Sequence, residues 1–143
     1  MKTHFKYIEW RDTKGLHEDT LQTLSELAFL KDELQFLQDL VADHTLELIY
    51  GKPFEESRMI AQQISKHKKK LNKLVTSLKD HKNELKVLMD DIDVPNELRD
   101  YKEMHYNLMI DTMDFHTNVK RTKRDIFSML SDIMKKSKAK RLQ

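Results

Sequence analysis

Histidine offers this chain its clearest capacity for chemistry, because an imidazole can ligate a metal or carry a proton near neutral pH. Four of the seven histidines, His44, His67, His81 and His105, sit at steps of three or four from apolar neighbours, where a helix turns them to one side. His81 lies twelve residues before Asp93 and His105 twelve after it, so a helical hairpin turning there brings the two rings to one level. His81 and His105 are therefore the candidate metal ligands, with Asp19 or Glu26 and Glu84 as the carboxylates that could complete a site. Carboxylate-bridged two-metal bundles use Glu-x-x-His, and that motif is absent: His44/Glu47 and His81/Glu84 run in the opposite order. The competing reading is structural. Polar side chains within a seam hold helices in one register, and Thr112 and Thr122 on the same seam fit that role.

Other chemistry has less to build on. The chain has no cysteine, and hence no thiolate nucleophile or disulfide. Neither a Gly-rich phosphate loop nor a Gly-x-Ser-x-Gly turn occurs, so no enzymatic activity and no cofactor are expected. Basic residues gather in Lys66 to Lys73 and Lys120 to Arg124. Lys69, Lys70, Lys73, Lys120, Arg121, Lys123 and Arg124 form a candidate patch for nucleic acid or an anionic membrane. Against it stand a net charge of only +2 and aromatics that do not interleave with the basic runs.

The third feature is an apolar surplus. Phe29 and Phe36, seven residues apart, fall outside the main seam with Leu40 beside them, and Leu21, Leu24 and Ala28 widen the arc. Such a face needs a cover. Either the N-terminal Phe5, Tyr7, Ile8 and Trp10 lie across it, or Phe29, Phe36 and Leu40 form a contact surface for a partner helix or a second copy of the chain.

These groups must be positioned by helices. Two glycines and two prolines in 143 residues are too few for the turns of a sheet, and 35% charged against 38% hydrophobic residues suits long helices with narrow buried stripes. Breaks fall at Gly15, at Gly51-Lys52-Pro53 and around Val94-Pro95. They predict an N-terminal segment 1–15, helices at 16–50, 54–90 and 96–137, and a frayed basic tail 138–143. Steps of three and four mark a seam in each helix: Leu27, Leu30, Leu34, Leu37, Val41, His44 and Leu48 in the first; Ile60 through Ile92 in the second; Leu98 through Ile133 in the third. Residues 16–50 carry eight acids and one base, whereas 52–89 carry ten bases and four acids, which favours pairing of the first two helices.

The sequence thus predicts a single all-α domain, an elongated antiparallel bundle of three long helices. Without a run of about 18 apolar residues, no transmembrane segment is expected. With no secretory signal and no cysteine, the expected location is the cytoplasm. The expected function is that of a non-catalytic interaction, scaffold or regulatory protein acting on a protein partner or on a second copy. The alternatives are a metal-binding bundle and an electrostatic binder.

Overall fold

The structure, a computed structural model, describes residues 10–44, 54–90 and 95–142, apart from the side chains of residues 54, 137 and 139–142. It is an all-α bundle of three helices: α1 (Thr13–Asp43), α2 (Phe54–Asp90) and α3 (Pro95–Leu142). No strand occurs among the described residues, and no described helix is long and apolar enough to cross a membrane. The expected turn residues 51–53 and 91–94, the seam residues Leu48 and Ile92, and the N-terminal Phe5, Tyr7 and Ile8 lie outside the described residues.

Helix ends follow local chemistry. α1 begins three residues before the expected start because Asp12 caps it: the Gly15 N–H donates to Asp12 Oδ1 at 2.8 Å, satisfying a first-turn amide that has no partner within the helix. Gly15 therefore lies inside the first turn rather than closing a preceding segment. α3 opens with Pro95, whose missing N–H costs nothing at a helix start. It runs to Leu142, beyond the expected end at 137, because Lys, Ala, Arg and Leu there include no helix breaker.

The chain forms two compact units, Met1–Phe29 with Leu71–Phe115, and Leu30–Lys70 with His116–Gln143. All three helices contribute to each. In the first, Thr20, Thr23, Leu27, Leu71, Leu74, Leu78, Thr112 and Phe115 are buried along the seams, and Leu16, Leu85 and Tyr101 pack together with half-buried Leu88 against them. In the second, Leu37, Ile60, Ile64, Ile126, Met129 and Leu130 form the core, flanked by Leu40, Val41 and Ile133.

Side-chain contacts give helix direction within each unit. In the first, Asp19 meets His105 and Thr23 meets Met109, so α1 and α3 advance together and run parallel. His81 with His105 and Leu85 with Tyr101 show α2 running opposite to α3. In the second unit Glu33 pairs with Lys123 at 2.6 Å, while Leu40 lies beside Phe127, Leu130 and Met134. There too α1 and α3 are parallel. Lys68 of α2 bonds Gln35 at 2.9 Å and also reaches Gln38.

Candidate functional site: a buried histidine layer and an open apolar groove

The expected pairing of His81 with His105 is present in the first unit. His81 Nε2 lies 2.9 Å from His105 Nδ1, and His105 Nε2 lies 3.2 Å from Asp19 Oδ2. Arg11 closes the row, its Nη2 donating to Asp19 Oδ1 at 3.0 Å. The two rings are fully buried, at 1% and 0% exposure. Tyr101 stacks on His81, with ring centroids 3.9 Å apart and planes within 2°.

The direction of the row follows from what each group can offer. A carboxylate has only lone pairs, so His105 must donate from Nε2. A neutral His105 then presents an Nδ1 lone pair, and His81 must donate from Nε2 to reach it. That leaves the proton off His81 Nδ1, a buried atom with no hydrogen-bond partner. Burial, reinforced by the neighbouring His105 ring, pushes the His81 pKa down to about 4. Burial likewise lowers His105; Asp19 opposes this by hydrogen bond and charge, and the Arg11 cation reinforces it. The neutral rings are therefore the folded form.

Tyr101 shares the layer. Burial is the main force pushing its phenol pKa up, with a small contribution from Glu84; nearby Thr20 acts in the opposite sense. The Thr20 hydroxyl spends its own proton on the Leu16 carbonyl at 2.9 Å, and Tyr101 Oη has no partner in bonding geometry. Each such orphaned polar atom costs roughly 1–3 kcal/mol. The 2.9 Å between the ring nitrogens is hydrogen-bonding distance, with a proton on the line between them. Glu26 and Glu84, the other carboxylates suggested at this level, are exposed. Among the described residues no group of three or more His, Asp or Glu is arranged to hold a metal ion. Arg11 and the Tyr101 stack escaped sequence reasoning, since neither follows from heptad spacing.

Gly15 explains how Arg11 reaches its place. A Cβ at Gly15 would stand 2.6 Å from Arg11 Nε and 2.8 Å from Asp12 Oδ1, closer than packed atoms tolerate. The bare glycine leaves room for the guanidinium to lie along the first turn of α1 and meet Asp19 one turn further on.

The expected partner-binding residues divide between the units. Phe29, in the first, is 79% exposed. In the second, Phe36 is 55% exposed, and half-buried Leu40 lines an open groove of about 370 Å³ between α1 and α3. Its other walls are Phe127, Leu130, Ser131, Met134, Lys135 and Lys138. Phe127 and Met134 complete the apolar surface from α3, and heptad spacing marks neither, because they lie beside the seam rather than on it. Two further grooves of this unit are lined by more polar side chains, with Gln38, Ser65 and Lys68 in one and Glu56, Asp125 and Asp132 in the other.

Of the basic candidates, Lys69, Lys70, Lys120, Arg121 and Arg124 in the second unit and Lys73 in the first are exposed. Lys123 is tied to Glu33. Comparison with protein-family models, curated proteins and solved structures finds no match for this chain.

Proposed function

We propose that this protein is a non-catalytic helical interaction module that engages a protein partner through the apolar surface of its second unit. The observation that carries the reading is the half-exposed Phe36 beside a groove whose walls are Leu40, Phe127, Leu130 and Met134. Large apolar side chains grouped on an open surface are what a partner helix buries, whereas isolated exposed apolar residues are ordinary. A cytoplasmic setting is part of the proposal and agrees with a cysteine-free sequence.

The test is a photo-activated phenylalanine analogue placed at position 36 of the full chain in cells. A covalent adduct with a protein, lost when Phe127 is changed to Asp, is expected. If irradiation gives no adduct above the level seen with the analogue at the exposed, polar position Asn72, the reading fails.

A further inference from the structure

We propose that the partner seated on the α1/α3 groove is a second copy of this chain, related by a two-fold axis running along the groove. The inference rests on the interaction reading above and names its occupant.

Charge on the two lips of the groove argues for self-recognition. On the α1 side, Phe36 and Leu40 are flanked along the helix by exposed Asp32, Asp39 and Asp43. On the α3 side, Lys135 and Lys138 line the groove, and Arg124 is exposed one turn before Phe127. The acids of α3 in this stretch, Asp125 and Asp132, lie instead in a different groove, with Glu56 and Gln63 of α2. One lip is acidic and the other basic, and neither a uniformly acidic nor a uniformly basic partner helix would suit both. A copy of the same surface suits both at once.

Helix direction then selects the arrangement. Because α1 and α3 are parallel in this unit, rotation about an axis along the groove lays α1 of each copy over α3 of the other, acid over base. Rotation about an axis across the groove would stack α1 on α1, acid over acid. Heights match in the favoured arrangement. Phe36 lies three residues past Glu33 and Phe127 four past Lys123, and Glu33 and Lys123 are themselves paired. The two phenylalanines thus share a level, and each meets the other's counterpart across the axis. Asp43, ten residues past Glu33, comes level with the turn holding Lys135.

The surface is modest. Fourteen residues of α1, 30–43, rise about 20 Å, and two helices side by side are about 20 Å wide. This falls below the roughly 800 Å² per partner of a standard stable interface, so the dimer is weak and reversible.

The chain has no cysteine of its own, which makes disulfide trapping unambiguous. Two full-length proteins, one carrying Phe36→Cys and the other Phe127→Cys, are mixed under mild oxidation. A covalent dimer that forms in the mixture, and far more weakly in either protein alone, is expected. A cross-link as strong in Phe36→Cys alone, or none in the mixture, overturns the proposal. Light scattering of the wild type supplies the second arm: its mass rises with concentration from 17.2 kDa toward twice that value. Lys135→Glu weakens association several-fold, and adding Asp43→Lys, level with it across the axis, restores it. Both residues are exposed, and circular dichroism verifies that helicity is kept. A wild type that stays monomeric at high micromolar concentration, with the position-36 adduct formed to a different protein, defeats the self-association inference and leaves the interaction reading standing.

Discussion

The two units of this chain use the same three helices and the same spacing, and fill their interiors differently. One encloses Leu37, Ile60, Ile64, Ile126, Met129 and Leu130, six side chains without a polar atom that hydrogen-bonds strongly. The other places two histidines and a tyrosine at full burial beside Leu16 and Leu85. Aliphatic packing is forgiving in register, because one leucine pair resembles the next. A histidine row is not, because a slip of one turn would strand buried nitrogens. The aliphatic unit therefore contributes cohesion, and the histidine unit selects one alignment at the expense of orphaned atoms on His81 and Tyr101. Surface follows the same division: the aliphatic unit carries the α1/α3 groove, and the histidine unit has its distinctive chemistry inside.

The largest expected effect tests the aliphatic side. Ile126→Ala, at 0% exposure, should cost roughly 2–5 kcal/mol by lost transfer energy and the cavity left behind. Chemical denaturation measures it, and its cost should be the same at pH 7 and pH 5.

Next in size is the response to acid, which should separate the units. His81 has a folded pKa of about 4, below its ordinary 6.5. A depressed histidine favours the fold while it is neutral, so this contribution is complete above pH 6.5 and is lost as pH falls from 6.5 toward 4. At 1.36 kcal/mol per pKa unit the loss is about 3 kcal/mol, and His105 shifts in the same direction. The aliphatic unit has a smaller counterpart in His67, half-buried, lowered by burial and bonded to Thr122 at 2.7 Å. Methyl resonances of Leu16 and Leu85 should thus change at higher pH than those of Ile64 and Ile126. Simultaneous change would remove the distinction drawn between the units.

Smaller again is the effect of removing one member of the row. His105→Leu leaves His81 Nε2–H without an acceptor and should cost roughly 1–3 kcal/mol at pH 7. The pair His81→Leu with His105→Leu should recover part of that loss and flatten the acid response, since no buried polar nitrogen then remains. A double variant as unstable as the sum of its parts would mean that the two rings act independently.

The smallest effect concerns the far end of the row. Gly15→Ala must push the Arg11 guanidinium and the capping Asp12 carboxylate from their places, while alanine favours a helix over glycine by about 1 kcal/mol. The losses and the gain oppose each other in stability. With the Arg11 cation displaced, the depression it exerts on His105 is relieved, so the pKa of His105 in an NMR titration should rise. No change there would show that Arg11 acts only on Asp19.

Much of this architecture was legible in steps of three and four. Leu27, Leu30, Leu34 and Leu37 of α1, and Leu71, Leu74 and Leu78 of α2, were marked as seam and are buried. So were Tyr101, Thr112, Phe115, Val119 and Thr122 of α3. Counting residues about the second turn also placed His81 opposite His105. The α1 seam nevertheless continues back through Thr23 and Thr20 to Leu16, and a search for apolar residues passes over the two threonines. These threonines satisfy their hydroxyls within their own helix, Thr20 on Leu16 O at 2.9 Å and Thr23 on Asp19 O at 2.7 Å, and then pack as small apolar side chains. The Arg11 contact depends on an absent Cβ, and the groove depends on Phe127 and Met134 facing α1. Both arise from how helices are rotated against each other, which heptad spacing leaves open to within a residue or two.

The proton between His81 and His105 has one further consequence. It is held in a bond at full burial, so it can be replaced by one from solvent only when the histidine unit opens. Its residence time on the ring is therefore a clock for the breathing of a single layer of the protein, readable without attaching any label.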